Sequence, residues 1–420
     1  MNSINNKVIA ASLGSILTMA TFANAQEAVQ TLAKEEAPQS WYERDSLFLA
    51  SATESVSEKT GFTPALTWTG EVWGDVSNKN NMNSFVDSLF TIEVEQDLSV
   101  LSGKDNMGRI GVSAFYYNQT HGGALENVDS SQGYISNIVA GDMARVFEIY
   151  YANEFETKAG TFGFRIGQLA ADEDFMGMDY SDTFLNSSFG AMPNIAPGNL
   201  FSQYNVATLG LVVYYTYDNF DATFGVYNGN IGEDISSNNG FDYKNTFDTV
   251  AFWYQFGYNY KVGGLDGRVM VGGNYHSDPS KANFEQGTKS NFYSFYAGIQ
   301  QALVNDDEGN AKFGVYGRVG FVPDAEQSDN NFYADFGFNW FAPIPCREND
   351  VFAAGFSVIE NERTARDDYA HYEGTLEVTY RCQITPAISF QPDFQIYFNP
   401  ATRDDCGAVY VAGARLEVVF

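Results

Sequence analysis

Long hydrophobic runs are the main absence in this 420-residue sequence. Beyond residue 25 no window approaches the roughly 18 uninterrupted apolar residues of a transmembrane helix, so none is expected to cross a bilayer. Positive charge is also scarce. The 23 Lys and Arg stand against 53 Asp and Glu, a formal charge of −30, and a general nucleic-acid binder needs a basic face. Histidine is limited to His121, His276 and His371, none at metal-ligand spacing from another. No metal, cofactor or catalytic Ser-His pair is therefore expected, and the chain does not read as an enzyme.

Export signals and aromatic residues are what the sequence does contain. Lys7 precedes a short apolar stretch, Val8 to Phe22, and Ala23-Asn24-Ala25 forms a small-x-small cleavage site before Gln26. Residues 1–25 thus read as a signal peptide. Residues 26–64 form a leader. Within it, Leu47, Leu49, Ala50 and Val56 are spaced for a short amphipathic helix, at a periplasmic mouth or in a mobile segment.

From about residue 65 to 420 the pattern changes to a period of two. Ile388, Phe390, Phe394, Ile396 and Phe398 alternate with Ser389, Gln391, Asp393, Gln395 and Tyr397. In the last segment Tyr410, Ala412, Ala414, Leu416, Val418 and Phe420 alternate with Val411, Gly413, Arg415, Glu417 and Val419. About sixteen such segments follow one another, each near the roughly 9–11 residues that cross a bilayer at a tilt. Charges recur on one face only, as in a wall between oil and water. Such faces cancel in the mean hydropathy of −0.25.

The connections carry an independent rhythm. The first, third and later odd-numbered ones are mostly long (119–143 and 169–206 above all), whereas the even-numbered ones, such as 157–159 and 218–220, are shorter. Membrane barrels pair long external loops with short periplasmic turns, a beat that a soluble sandwich has no reason to keep. The predicted fold is all-β: a transmembrane antiparallel barrel of about 16 strands with a short N-terminal helix, in the bacterial outer membrane. Phe420 at the terminus suits recognition by the barrel assembly machinery, with outer-membrane lipid and lipopolysaccharide as surroundings.

Sixteen strands enclose water rather than a filled core, so the bore is set by lumen-facing residues and by any loop folded inside. Loop 169–206, with Gly177, Phe184, Phe189, Gly190, Pro193 and Pro197, reads as packed, either inside the pore or as an outer cap. Alternation places Arg165, Glu148, Arg318, Glu377, Gln391, Asp393, Gln395 and Arg415 on the inner face as pore-lining candidates. Their donors and acceptors suit a polyhydroxylated solute. Cys346 and Cys382 fall at the same rim and are candidates for a disulfide, which leaves Cys406 free in an external loop.

Several segments resemble the carbohydrate-selective porins of the OprB family. They include Phe164-Arg165-Ile166-Gly167-Gln168-Leu169 with Asp174-Phe175, Phe184-Leu185-Asn186-Ser187-Ser188-Phe189-Gly190, and Gly225-Val226-Tyr227-Asn228-Gly229. Others are Pro343-Ile344-Pro345-Cys346-Arg347, Gln391-Pro392-Asp393-Phe394-Gln395 and Arg415-Leu416-Glu417. The resemblance implies a sixteen-stranded monomer that passes monosaccharides such as glucose, with inward loops and a basic residue at the narrowing, for which Arg165 is the matching position. Gln168 stands where the family carries a basic residue. A general or cation-preferring porin on the same barrel is the alternative.

Overall fold

The computed structural model describes residues 47, 56–77, 84–119, 128, 130–198, 200–231, 240–241, 246–282, 291–324, 328, 330–360, 371–400 and 407–420. The proposed signal peptide, most of the leader, His121 and Cys406 lie outside the described residues. A helical turn at 56–60 leads into the first strand, which begins at Phe62, four residues before the start at residue 66 that the alternation indicated.

Sixteen strands follow. They are β1 Phe62–Asp75, β2 Phe85–Asp97, β3 Arg109–Gln119, β4 Met143–Thr157, β5 Gly160–Leu169, β6 Thr208–Tyr217, β7 Phe220–Asn228 and β8 Val250–Val262. The second half comprises β9 Leu265–His276, β10 Phe292–Asn305, β11 Ala311–Phe321, β12 Phe332–Phe341, β13 Val351–Glu360, β14 Tyr372–Thr385, β15 Ile388–Phe398 and β16 Val409–Val419. Each pairs antiparallel with its sequence neighbours, and β16 returns to β1, from Thr67 opposite Val419 to Asp75 opposite Val411. Closure is what hydrocarbon demands, since an open edge would leave a row of backbone N–H and C=O groups unsatisfied.

Alternation decides which face each side chain takes. In β13, Val351, Ala353, Gly355, Ser357 and Ile359 are buried inward, while Phe352, Ala354, Phe356 and Val358 face out. Around the outside, Phe90, Ile166, Leu211, Phe252, Ile299, Phe336 and Phe394 are exposed. For a soluble protein such a belt would be a liability; in a bilayer it is the solvated surface.

The connections keep the expected beat. Two-residue turns join β4 to β5, β6 to β7, β8 to β9 and β14 to β15, while the connections β3 to β4 and β5 to β6 are 23 and 38 residues long. Two even connections are longer than the others, 342–350 and 98–108, the latter because it holds a five-residue helix, Leu98–Ser102. Asp97 caps it by accepting from the Ser99 and Val100 N–H groups, the usual role of an Asp at this position.

The expected Cys346–Cys382 bridge is not formed: both thiols are free. Arg347 occupies the space at Cys382, its Nη2 2.9 Å from Sγ. That arginine is in turn held by Asp350, with Nε to Oδ2 at 2.5 Å. Sharing a rim is a weaker condition than the Cβ approach of about 3.8 Å that a disulfide requires.

Candidate functional site

Two external loops turn back into the barrel. Loop 170–207 follows β5 and crosses to the far wall, where Asn274 Nδ2 donates to Ile195 O at 2.7 Å and Asn194 Nδ2 donates to Gly320 O at 2.9 Å. Its apolar side chains, among them Phe175, Met192, Leu200 and Phe201, pack with Trp253, Tyr296 and Tyr333 of the wall into a buried cluster. Residues 130–142, the described part of the connection between β3 and β4, lie beside it. Asn137 N donates to Leu185 O at 2.6 Å, and Tyr134 N donates to Ser187 Oγ at 2.7 Å.

Polar residues of the wall fasten both loops. Arg318 makes the densest such contact. Its Nη1 donates to Met176 O at 3.1 Å and Gly190 O at 2.8 Å, its Nη2 to Phe189 O at 2.5 Å, and Asp335 neutralises it. Glu377 accepts from Leu185 N at 2.6 Å and Asn186 N at 2.9 Å. Glu373 takes Ser131 N at 2.9 Å and the Ser130 hydroxyl. Gln391 donates to Thr183 O at 2.8 Å, and Gln395 donates to Ile135 O and to Asp393 Oδ1, both at 2.9 Å. Arg415 pairs with Glu71 at 2.5 Å and reaches Asn137 Oδ1 at 2.6 Å.

All eight sequence-predicted candidates thus point inward, but most serve the loops rather than open water. Arg165, Glu148, Arg318, Glu377, Gln391, Asp393 and Gln395 are buried; Arg415 keeps 12% of its side chain exposed. Glu148 is inward for a different reason than simple alternation. A bulge between Val112 and Ala114 shifts the β3–β4 register, so that Phe147 and Glu148 are buried in succession.

The uncovered part of the wall runs over β2 to β6, where Thr91, Glu93, Glu95, Arg109, Ser113, Tyr150, Glu154 and Tyr214 stay partly exposed. Arg165 sits at its upper margin. Its Nη2 lies 2.6 Å from Asp174 of the loop, its Nη1 3.5 Å from Glu148, and its guanidinium carbon 5.1 Å from the centre of the Tyr150 ring. Asp172 and Glu173, on the same loop segment, add further carboxyl groups beside it.

A family model for the carbohydrate-selective porins of the OprB type matches residues 87–420. The chain belongs to the OprB family of carbohydrate-selective porins. Among solved structures, Pseudomonas putida OprB at high pH is 16% identical, with 91% of this chain and 100% of that one covered and a TM-score of 0.77. The low-pH structure of the same protein has 14% identity, 90% and 99% coverage, and a TM-score of 0.59. A triple mutant of the Rhodopseudomonas blastica porin reaches 10% identity, 86% and 100% coverage, and a TM-score of 0.51. None of the curated proteins matches. This porin is a sixteen-stranded outer-membrane channel.

The porin's loop carboxyls feel their enclosure. Burial pushes Asp172 up to about 7, reinforced by Glu148 and Asp174 and opposed by the Tyr204 N–H. Asp182 is likewise raised to about 7, by burial and by Asp179, with Arg318 opposing. His276 plays no ligating part: it is buried with Nε2 2.8 Å from Gly229 O. Among the described residues no group of His, Cys, Asp and Glu could hold a metal ion.

Sequence reasoning did not name Glu71, Asp335 or Glu373 as site residues, and met Asp174 only within the family-like segment Asp174-Phe175. Two of these carried a signal: Asp335 stands directly opposite Arg318 and Glu71 directly opposite Arg415 in strand register. The inward fold of residues 130–142 had none, since hydrogen bonds to a distant wall leave no period in the sequence.

Proposed function

We propose that this porin passes small neutral carbohydrates, monosaccharides such as glucose, by passive diffusion between the two inward loops and the wall of β2 to β6. The observation that carries this reading is the ion triad Glu148–Arg165–Asp174 at the edge of the gap. Its one guanidinium offsets one of the two carboxyl groups, and all three are held rigidly in one place. The triad itself is buried, so a neutral polyhydroxylated solute takes its hydrogen-bond partners from the partly exposed wall beside it, Glu93, Glu95, Arg109 and Glu154, while Arg165 offsets part of the local carboxylate charge. Arg165 is the basic residue of the narrowing in this reading. Residues 1–25 direct export, Phe420 is read during barrel assembly, lipid and lipopolysaccharide surround the belt, and a single barrel suffices. The channel needs no catalysis and no cofactor.

A second reading, a cation-preferring or general pore, draws on the acidic excess of Glu93, Asp172 and Glu173 next to the triad. Two measurements on the purified protein separate them. Liposome swelling should be fast with monosaccharides and slow with longer oligosaccharides, and sugar should raise the noise of single-channel current. A strong cation preference in the reversal potential, without any sugar effect, overturns the carbohydrate reading.

A further inference from the structure

Below Arg165, toward the rim of short turns, the uncovered wall carries a second constellation. Glu154 of β4, Gly163 of β5 and Tyr214 of β6 occupy one cross-strand row. The Tyr214 ring lies over Gly163: a Cβ placed there would stand 2.2 Å from Tyr214 Cζ and 2.4 Å from Cε2. Its hydroxyl donates to Glu154 Oε2 at 3.0 Å. On the adjoining strands Tyr150 covers Gly111 in the same manner, with Cζ 2.3 Å from the missing Cβ. Arg109 stands close by on β3, fixed by Glu95 at 3.1 Å. Tyr150, Tyr214, Arg109, Glu95 and Glu154 all remain partly exposed.

The glycines give this arrangement its meaning. A side chain at either position would lift the ring off the wall and turn its edge into the passage. Glycine instead allows each ring to lie flat, which spares bore and leaves an apolar face toward the water. Tyr150 shares its neighbourhood with the Arg165 guanidinium, whereas Tyr214 is bonded at its hydroxyl end by an acceptor. An apolar plane bordered by a carboxylate and a guanidinium matches a pyranose, which has an apolar C–H face and a rim of hydroxyls.

We propose that Tyr214 and Glu154, with Arg109 and Glu95, form a second carbohydrate subsite on the periplasmic side of the narrowing. The sugar face stacks on Tyr214 and its hydroxyls bond to the charged groups. The subsite rests on the diffusion reading and adds to it a holding point past the constriction, from which the solute leaves toward the periplasm.

The test uses the mature protein in planar bilayers, with D-glucose and maltose as probes and the apparent affinity taken from sugar-induced current noise. Tyr214→Leu is expected to weaken maltose binding by about two- to tenfold, the worth of one aromatic contact. Gly163→Ala, which tilts the ring without removing it, should do the same, and Glu154→Gln should weaken binding further. Tyr215→Leu, a change on the lipid side of the same strand, should leave the affinity as it was. Folding of each variant is read from its heat-modifiable gel migration. Unaltered maltose affinity in both Tyr214→Leu and Glu154→Gln overturns the subsite. A wild-type channel that shows no sugar noise at all would instead remove the diffusion reading, and the subsite with it.

Discussion

The two sides of this lumen are built from the same alternating strands and put to different uses. On β11 to β15, Arg318, Glu377, Gln391 and Gln395 are buried and fully engaged with loop backbone. On β2 to β6, Glu93, Glu95, Arg109, Tyr150 and Glu154 remain open to the passage. The polarity of an inward residue therefore does not mark it as a solute contact. Whether a loop lies over it decides, and the covered side sets the size of the opening while the open side sets its chemistry.

The strongest way to break this contrast is Arg318→Met. It releases three loop carbonyls and leaves Asp335 buried without its partner, a loss of about 3–5 kcal/mol. Single-channel conductance should rise and liposomes should admit longer oligosaccharides. Arg318→Lys should fall between, because an ammonium cannot reproduce the fork. Next comes Glu377→Gln, which replaces one of the two oxygens that accept from Leu185 N and Asn186 N by an amide donor and leaves a buried N–H unpaired, roughly 1–3 kcal/mol of docking. Frequent transient openings in the current trace are the expected sign. A change of comparable size confined to ion selectivity would show that Glu377 faces the passage after all.

A pH titration sharpens the comparison further. Asp172 and Asp182 titrate near 7 in the docked loop, against an ordinary value of 3.8. The docked form therefore holds more protons than a released loop between those values. Docking is strengthened as pH falls through about 7 and weakened as pH rises through it. Current fluctuations should grow as pH rises from about 4 to about 7 and level off above it, and Asp172→Asn with Asp182→Asn should flatten that response. The smallest effect is expected from Asp174→Asn on the open side. It leaves Arg165 less neutralised, so the reversal potential in a salt gradient should move toward anions with conductance little changed.

Much of the barrel was legible because hydrocarbon and water impose a period on each strand, and all sixteen strands lie within a few residues of their expected positions. Direction was legible for the eight candidates as well, although Glu148 faces inward through a bulge that no alternation announces. What each one does was not. Arg165 with Asp174, and Arg318 with three backbone carbonyls, are contacts between a strand and an aperiodic loop, and sequence spacing is blind to them. The cysteines teach the same limit: topology places Cys346 and Cys382 at one rim, but both thiols are free and the Cys382 sulfur is met by the guanidinium of Arg347.

The fastenings of the narrowing have a consequence for time as well as space. Leu185 waits for a carboxylate 192 positions later in the chain, and Ser131 for one 242 positions later. Contacts of such separation form late, after the closure of long chain segments. The pairing of β1 with β16 spans a still longer separation, so the narrowing is completed only with the barrel itself, and a chain that stopped short of β14 would lack these fastenings.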